Sequence, residues 1–475
     1  MQHICVFEDN QHSQLIPLVY TRPVFELRCG LFTTLERTIK HYPNAAITLF
    51  CRNYLSDVLQ ERITHRVNIL HTTDDTCLFL NGRAIISLPV SLEGPEELGV
   101  QDNTLVYARL KGNNAKKISH ETFLTQDVIE MLKNTVQVID THVPIVNYFW
   151  DIIKHNKSQI EKDFMLFVKE GSISGKLYEG VYLINEGQIF IGKDSRIKPG
   201  CVFDAENGPI YIGHNVTIAP NTTIEGPVYI GNHSIVQSNS RIRGGANIGE
   251  VCKVGGEIVN TIFHSYSNKQ HDGFLGDSYI GSWVNIGADT VNSNLLNTYG
   301  NIKVELGENI INTDHMFLGM AMGDHTKTAI NTTIMTGSIF GFACNIITPT
   351  YPPKYLPSFT WYSDNGMKVY ILEKALQVAK IAMKRRDKEM TPAEEQIFRM
   401  VFQLTEEERN SIKNIKQAGT WTWQLLTESF PLQHQALHTN YFRGKYNKGA
   451  HMEKDIKHER IIIDTSIFTN PDVYQ

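Results

Sequence analysis

The sequence predicts a two-part fold: an α/β layered domain, then a parallel β-helix of six-residue repeats, with a helical extension behind it. Three observations predict this. The stretch IYIGHNVTIAPNTTIEGPVYIG, residues 210 to 231, places an isoleucine at every sixth position. Neither a helix, repeating near 3.6, nor a strand, repeating at 2, explains a six. Before residue 145, short apolar β-branched runs alternate with helix-like runs, the pattern of a layered, mainly parallel sheet. Beyond residue 367 the apolar positions fall at helical spacing behind recognisable caps.

In the α/β domain, residues 1–145, HICVFED, AAITLFCR and TLVYARL read as short buried strands. LFTTLERTIKHY and TQDVIEMLKNTVQVI read as helices. Residues 146–170 form a connecting helix, with Ile152, Ile153, Ile160 and Phe164 on one face. The β-helix spans residues 171–366. Its series runs Ile191, Ile197, Phe203, slips by three, and resumes as Ile212, Ile218, Ile224, Ile230, Val236, Ile242, Ile248, Val254. It returns at Phe274, Ile280, Ile286 and again at Ile334, Phe340, Ile346. A short strand and a sharp corner use about six residues, and three such units close a triangular coil around one aliphatic side chain each. A single coil buries nothing, so stacking supplies the core. Gly192, Gly213, Gly231, Gly249 and Gly255 follow aliphatic positions, where a glycine tolerates the turning backbone. In the helical extension, residues 367–475, Leu372, Leu376, Ala379 and Met383 share a face. Thr391, Pro392 and Glu394 make a capping box, and Thr405 with Glu408 repeats the device.

Composition narrows the function. The chain has 475 residues, 41% hydrophobic and 20% charged, with a formal net charge of -5. No basic excess points to nucleic acid, and no apolar run is long enough to cross a membrane. Seven scattered cysteines, an odd number without a CxxC pair, read as reduced thiols of a cytoplasmic protein.

The six-residue register lapses between Gly255 and Phe274, and interruptions of a solenoid map to loops that carry function. His264, Lys269, His271, Asp272 and Asn285 cluster there. A histidine at a coil corner suits general base chemistry, and it equally suits a surface hydrogen bond. Near the N-terminus, Arg22 and Arg28 offer bidentate forks for nucleotide phosphates. Glu8 and Asp9, at a strand end, offer carboxylates for Mg2+. The same residues also fit an Arg22–Glu26 surface pair and a plain strand-end turn. His434 and His438 stand one helical turn apart without a third ligand. His315 and His325 fit polar coil corners, or a metal site at an interface.

NKQHDGFLGDSYIGSWVNIGADT resembles the acetyltransferase half of the GlmU family. TRPVFELRCG, the NKQHDGFLG loop, GDHTKT and PPKYLPSF, in that order, resemble the GlmU-like sugar nucleotidyltransferases over about residues 1 to 400. The resemblance implies a nucleotidyltransferase-like α/β domain, a left-handed β-helix and a homotrimer. It implies an enzyme that acetylates glucosamine 1-phosphate from acetyl-CoA and couples the product to UTP with Mg2+, giving UDP-N-acetylglucosamine. By position, His271 falls on the general base, Arg243 on a sugar-phosphate ligand, Asn285 near the acetyl group and Asn294 near the sugar. Ala288 falls on the backbone N–H that contacts the acetyl carbonyl. The chain departs from the pattern at Phe274 for Tyr, Asp289 for Gly and Leu296 for Lys. Lys303 is a substitute for that last charge. Two other readings stand beside this one. One is a trimeric sugar-nucleotide scaffold with decayed sites, and the other is a carbonic-anhydrase-like zinc β-helix.

Overall fold

The computed structural model describes residues 3–70, 76–307, 309–348 and 351–410. The expected pair at His434 and His438, and the extension beyond residue 410, lie outside the described residues.

The α/β domain is built on a seven-stranded sheet. His3–Phe7, entirely buried, pairs in parallel with Ala46–Phe50 on one side and Cys77–Asn81 on the other. Thr104–Leu110 alone runs against the other six strands, antiparallel to Cys77–Asn81 and to Glu97–Gln101, so the sheet is mainly parallel as expected. The helix Thr34–His41 forms as expected, with Thr33 and Glu36 closing its capping box. TQDVIEMLKNTVQVI does not form one helix. Helix Val128–Leu132 stops, and the β-branched run continues as strand Gln137–Asp140, which pairs with Glu97–Gln101. Val, Ile and Thr favour the pleated surface over a helix.

The second part is a left-handed parallel β-helix, with three stacks of parallel strands as its faces. Along the first face, Ile191, Ile212, Ile230, Ile248, Phe263, Ile280, Met322 and Phe340 lie in register. Ile197, Ile218, Val236 and Val254 do so on the second, and Phe203, Ile224, Ile242 and Ile258 on the third. All are shut off from solvent in one continuous core. The glycines of the repeat work differently from the expectation. A Cβ on Gly192 would stand 2.6 Å from the Gly213 carbonyl, so the need is for close approach of neighbouring coils. The left-handed backbone falls two residues later, at Asp194, Asn215, His233 and Val251.

Between Gly255 and Phe274 the coil does not break. It shortens and continues, with Ile262–Ser265, Asn268–Lys269 and Phe274–Gly276 on the three faces. The inward residue of the third face is Leu275, which pairs with Ile258. Phe274 points outward beside Glu257. The inward residue of the second face is Lys269, in register with Val254 and 1% exposed. A lysine therefore occupies a slot that the period reserves for an aliphatic side chain.

The outer side of the first face is covered. Tyr211 and Tyr229 stack 5.4 Å apart, and Tyr279 beyond them is fully buried. Helix Phe149–Asp163 lies here, with Ile152, Ile153 and Ile160 buried as expected, and ends in a π-turn, Phe164–Val168. An inserted hairpin, Lys303–Leu306 with Asn309–Asn312, joins the same apolar cluster as Leu15, Leu18 and Val19 of the α/β domain. Leu296 packs on this cluster, which explains an apolar residue where the family resemblance has a lysine. Behind the coil, helices Leu372–Lys384 and Pro392–Leu404 follow, the second with the expected box at Thr391 and Glu394. Thr405 is no N-cap. Its hydroxyl bonds back to the Val401 carbonyl, and Glu408 instead accepts from the Tyr20 hydroxyl.

Candidate active sites

The first candidate site is a cavity of about 850 Å3 at the edge of the α/β sheet. It opens where the parallel strands end, the place where open α/β sheets hold ligands. Asp9, Gln14, Arg83, Asp102 and Lys154 are among its lining. Of these the sequence reading singled out Asp9 alone. Arg83, in the NGR that follows strand Cys77–Asn81, was the missed signal. It is buried, and its Nε and Nη2 grip Asp9 Oδ1 and Oδ2 at 2.8 and 2.6 Å. Asp9 Oδ2 also accepts from Asn81 at 2.8 Å, and Oδ1 caps the following turn through the Gln11 N–H.

Glu8 is committed in the same way. Its side chain is fully buried. Oε1 accepts from the Val24 N–H and Arg52 Nη2, and Oε2 from the Arg52 N–H and Nε, all at 2.9 to 3.2 Å. Carboxylates that neutralise guanidinium groups do not fit an Mg2+ ion, which needs its oxygen ligands for itself. The expectation of Mg2+ at Glu8 and Asp9 is overturned on that ground. These two residues are structural.

Arg22 and Arg28 are not at this cavity. They belong to TRPVFELRCG, which acts as a strap across the domain junction. Arg22 donates to both carboxylate oxygens of Asp324, at 3.0 and 2.6 Å, and to the Ser282 hydroxyl at 3.1 Å. Thr21 also donates to Asp324. Burial alone would raise the Asp324 carboxyl, but the Arg22 charge and these hydrogen bonds outweigh it and hold it below its ordinary value. The Arg28 N–H donates to the Tyr279 hydroxyl at 3.0 Å. Its guanidinium donates to the Leu31 carbonyl at 2.8 Å and lies 5.1 Å from the Tyr229 ring centre. Gly30, with φ +79°, closes the strap where a Cβ would stand 2.7 Å from Gln159. The role of nucleotide-phosphate ligand expected for Arg22 is thus corrected to docking, because its fork is already filled. Arg28 is docked too, but its Nε has no hydrogen-bond partner among the described residues. The Arg22–Glu26 pairing gives way to Arg22–Asp324. Both arginines border a second cavity, of about 680 Å3, together with His264, Tyr266 and Trp283.

His264 belongs to that junction. Its Nε2 lies 2.8 Å from the Glu26 carbonyl, and its Nδ1 3.2 Å from the Ser282 hydroxyl. Burial, then the nearby Arg22 charge, lowers its pKa well below the usual value, so it is neutral. With both ring nitrogens occupied it is no zinc ligand. His325, stacked on Trp283 and edge-on to Phe398, is likewise packed. Among the described residues no group of three His, Cys, Asp or Glu is placed to hold a metal ion.

The second candidate site is the coil corner that carries His271. Register sets its neighbours. Asn268 lies opposite Asn285 in the next coil, and Gly273 abuts Thr290 so closely that a Cβ there would strike the Thr290 carbonyl. His271 and Ala288 therefore occupy equivalent points of adjacent coils, whose strands stack about 4.8 Å apart. His271 and Asn285 are exposed, and Ala288 is half-buried. Neither the His271 ring nor the Ala288 N–H has a hydrogen-bond partner among the described residues. Asp289 takes the left-handed backbone, φ 55°, that the family fills with glycine.

The remaining expected residues are not gathered at that corner. Arg243 and Asn294 flank the far edge of the third face. Arg243 is held by Glu257 at 3.1 Å and Glu225 at 3.5 Å, at half exposure. Asn294 donates to Asp277 at 2.7 Å, which also accepts from Asn260. Lys303 is exposed on the inserted hairpin.

Residues 4–172 match the family described as sugar nucleotidyl transferase, and residues 209–244 match six repeats of the bacterial transferase hexapeptide. Similar curated proteins include the bifunctional protein GlmU of Rippkaea orientalis, 39% identical over 110 residues, covering 23% of this chain and 23% of that one. GlmU of Pseudoalteromonas atlantica is 32% identical over 215 residues, 39% of this chain and 45% of that protein. A bifunctional sugar-1-phosphate nucleotidylyltransferase/acetyltransferase of Sulfurisphaera tokodaii is 35% identical over 85 residues, 18% and 21%. The chain spans less than half the length of each. Both parts of the fold carry transferase domains of this kind.

Proposed function

We propose that this transferase is bifunctional in amino-sugar activation. The β-helix acetylates glucosamine 1-phosphate from acetyl-CoA, and the α/β domain joins N-acetylglucosamine 1-phosphate to UTP. The observation that supports the reading most is the exposed imidazole of His271 in line with the N–H of Ala288, both without a hydrogen-bond partner among the described residues. A neutral amine attacks the thioester carbonyl, and the oxygen that gains charge is met by the Ala288 N–H. One pre-aimed donor of this kind contributes roughly 3 kcal/mol. His271 takes the proton that the amine sheds and returns it to the departing CoA sulfur, leaving amide and thiol. Asn285 stands beside the acetyl group. Across the third face, Arg243 and Asn294 bind the sugar and its phosphate. A homotrimer supplies a neighbour's surface to this exposed edge, and seven buried free cysteines suit a reducing cytoplasm.

In the α/β domain the sheet-end cavity is the nucleotide site. Lys154 faces the phosphates, while the Arg83–Asp9 pair shapes the cavity floor, and a phosphate oxygen of the sugar displaces pyrophosphate from UTP. One observation favours a second reading for this domain, binding without turnover: Glu8 and Asp9 are both neutralised by arginine. Following thiol and pyrophosphate separately from acetyl-CoA, glucosamine 1-phosphate and UTP tests both. Thiol without pyrophosphate selects the second reading for the α/β domain, and neither product defeats the proposal.

A further inference from the structure

Lys269 has no role in the chemistry above, yet it is the most anomalous side chain of the β-helix. It fills an aliphatic slot of the second face, between the levels of Val254 and Ile286. Its ammonium reaches the corner from inside the coil. Nζ donates to the carbonyl of His271 at 2.7 Å, of Asp272 at 3.0 Å and of Gly255 at 3.3 Å. These three bonds use all three of its donors. They fix two successive peptides of the exposed loop to the coil beneath it. Two charged groups face this ammonium, Asp272 from its own loop and Asp289 from the next coil.

We propose that Lys269 is a positioning residue for His271, its ammonium clamping the loop backbone so that the imidazole stays over the Ala288 N–H. The catalytic consequence rests on the reading of His271 as the base. Two charged residues then belong together. Asp289 places a carboxylate where the family has glycine, and Lys269 places a buried cation near it. Burial lowers the Lys269 pKa to about 8, against the opposing pull of Asp272 and then Asp289. As pH rises through that value the clamp loses its charge and one of its donors. The linkage runs the other way for global stability. The unfolded chain keeps this proton to about 10.4, so between the two values the unfolded state binds more protons. This group's contribution to stability therefore rises with pH while the loop loosens. A residue that merely filled the core would not separate the two.

The test uses Lys269→Met, which refills the slot without charge, and Lys269→Arg, which keeps the charge. Hydrogen exchange of the amides 270–273 is read beside thiol release. In Lys269→Met, loop exchange accelerates about tenfold relative to the coil strands. The kcat falls by up to about 10²-fold, the cost of a misplacement near 1 Å, with KM for acetyl-CoA nearly unchanged. Lys269→Arg recovers part of both. In wild type, loop exchange, corrected for its intrinsic pH dependence, rises across pH 8, and the methionine variant loses that step. Unchanged loop exchange in Lys269→Met overturns the proposal. So does a flat wild-type profile across pH 8, which decides the matter if Lys269→Met fails to fold. Absence of thiol release in wild type defeats the base assignment of His271 instead, and the exchange data still judge the clamp.

Discussion

Two regions of this molecule hold charged and titratable residues of the same kinds, with opposite fates. In the strap from Thr21 to Gly30 and the strand end at Glu8 and Asp9, the charges first expected to bind ligand are engaged by the protein itself, with the Arg28 Nε left without a hydrogen-bond partner among the described residues. Arg22 closes on Asp324, Arg28 is held by Leu31 and Tyr229, Glu8 closes on Arg52 and Asp9 on Arg83. At the coil corner, the exposed His271 ring and the N–H of half-buried Ala288 have no hydrogen-bond partner among the described residues. The difference is one of availability. A fork whose donors are spent inside the protein cannot also receive a phosphate, whereas an unspent imidazole can accept a proton. Residue type nominates a site, and the state of its hydrogen bonds decides between structure and chemistry.

The sharpest way to break this contrast is at the free corner. His271→Ala should lower acetyl transfer by about 10²–10⁴-fold, the usual contribution of a positioned general base. It should leave thermal unfolding in place, because the exposed ring makes no hydrogen bond among the described residues. Equal rates would remove the corner from the chemistry.

The paired region predicts the reverse. Arg22→Ala strands a buried carboxylate, which costs about 3–5 kcal/mol of stability in denaturant unfolding. The double variant Arg22→Met with Asp324→Leu should recover most of that loss. The pH response has a definite sign. The folded Asp324 carboxyl lies below its unfolded value, so its contribution is present above the unfolded value near 3.9 and lost as pH falls through the folded one. The double variant should lack that part of the acid destabilisation. An Arg22→Ala protein of wild-type stability that binds UTP poorly would restore Arg22 as a phosphate ligand.

A smaller effect locates the nucleotide. Lys154→Ala, at the sheet-end cavity, should weaken UTP binding about tenfold by titration calorimetry, the loss of one charged contact. Unchanged affinity would move the nucleotide away from that cavity. The smallest effect belongs to Arg243, half-exposed and shared by two glutamates. Arg243→Ala should change stability by less than about 1 kcal/mol. A raised KM for glucosamine 1-phosphate at unchanged stability would show that the arginine leaves Glu225 and Glu257 to serve the substrate.

The β-helix was legible because one inward residue per coil side is a demand of geometry, and Ile212 through Val254 meet it in strict register. Lys269 hid the continuation of that register, since a long side chain can bury its stem and spend its head on carbonyls. Phe274 reads as inward because it lies six residues before Ile280, whereas the step between the inward Leu275 and Ile280 is one residue shorter. The corner with His271 was found because its motif is contiguous. The sheet-end cavity was not, because it is assembled from residues as distant as Asp9, Arg83 and Lys154, and no local spacing announces it. The partners of Arg22 and Glu8 lie 302 and 44 residues away. Sequence spacing carries no sign of such pairs, so spent charges looked available.

The central claim, that chemistry sits at the free corner and the paired charges are structural, is tested most directly by one comparison. Wild type, His271→Ala and the Arg22→Met/Asp324→Leu double variant are each given acetyl-CoA and glucosamine 1-phosphate, and thiol release is followed as a single turnover. The account predicts loss of the thiol burst in His271→Ala alone, with the double variant close to wild type. A burst that survives in His271→Ala, or that disappears in the double variant while its fold is intact, would contradict it.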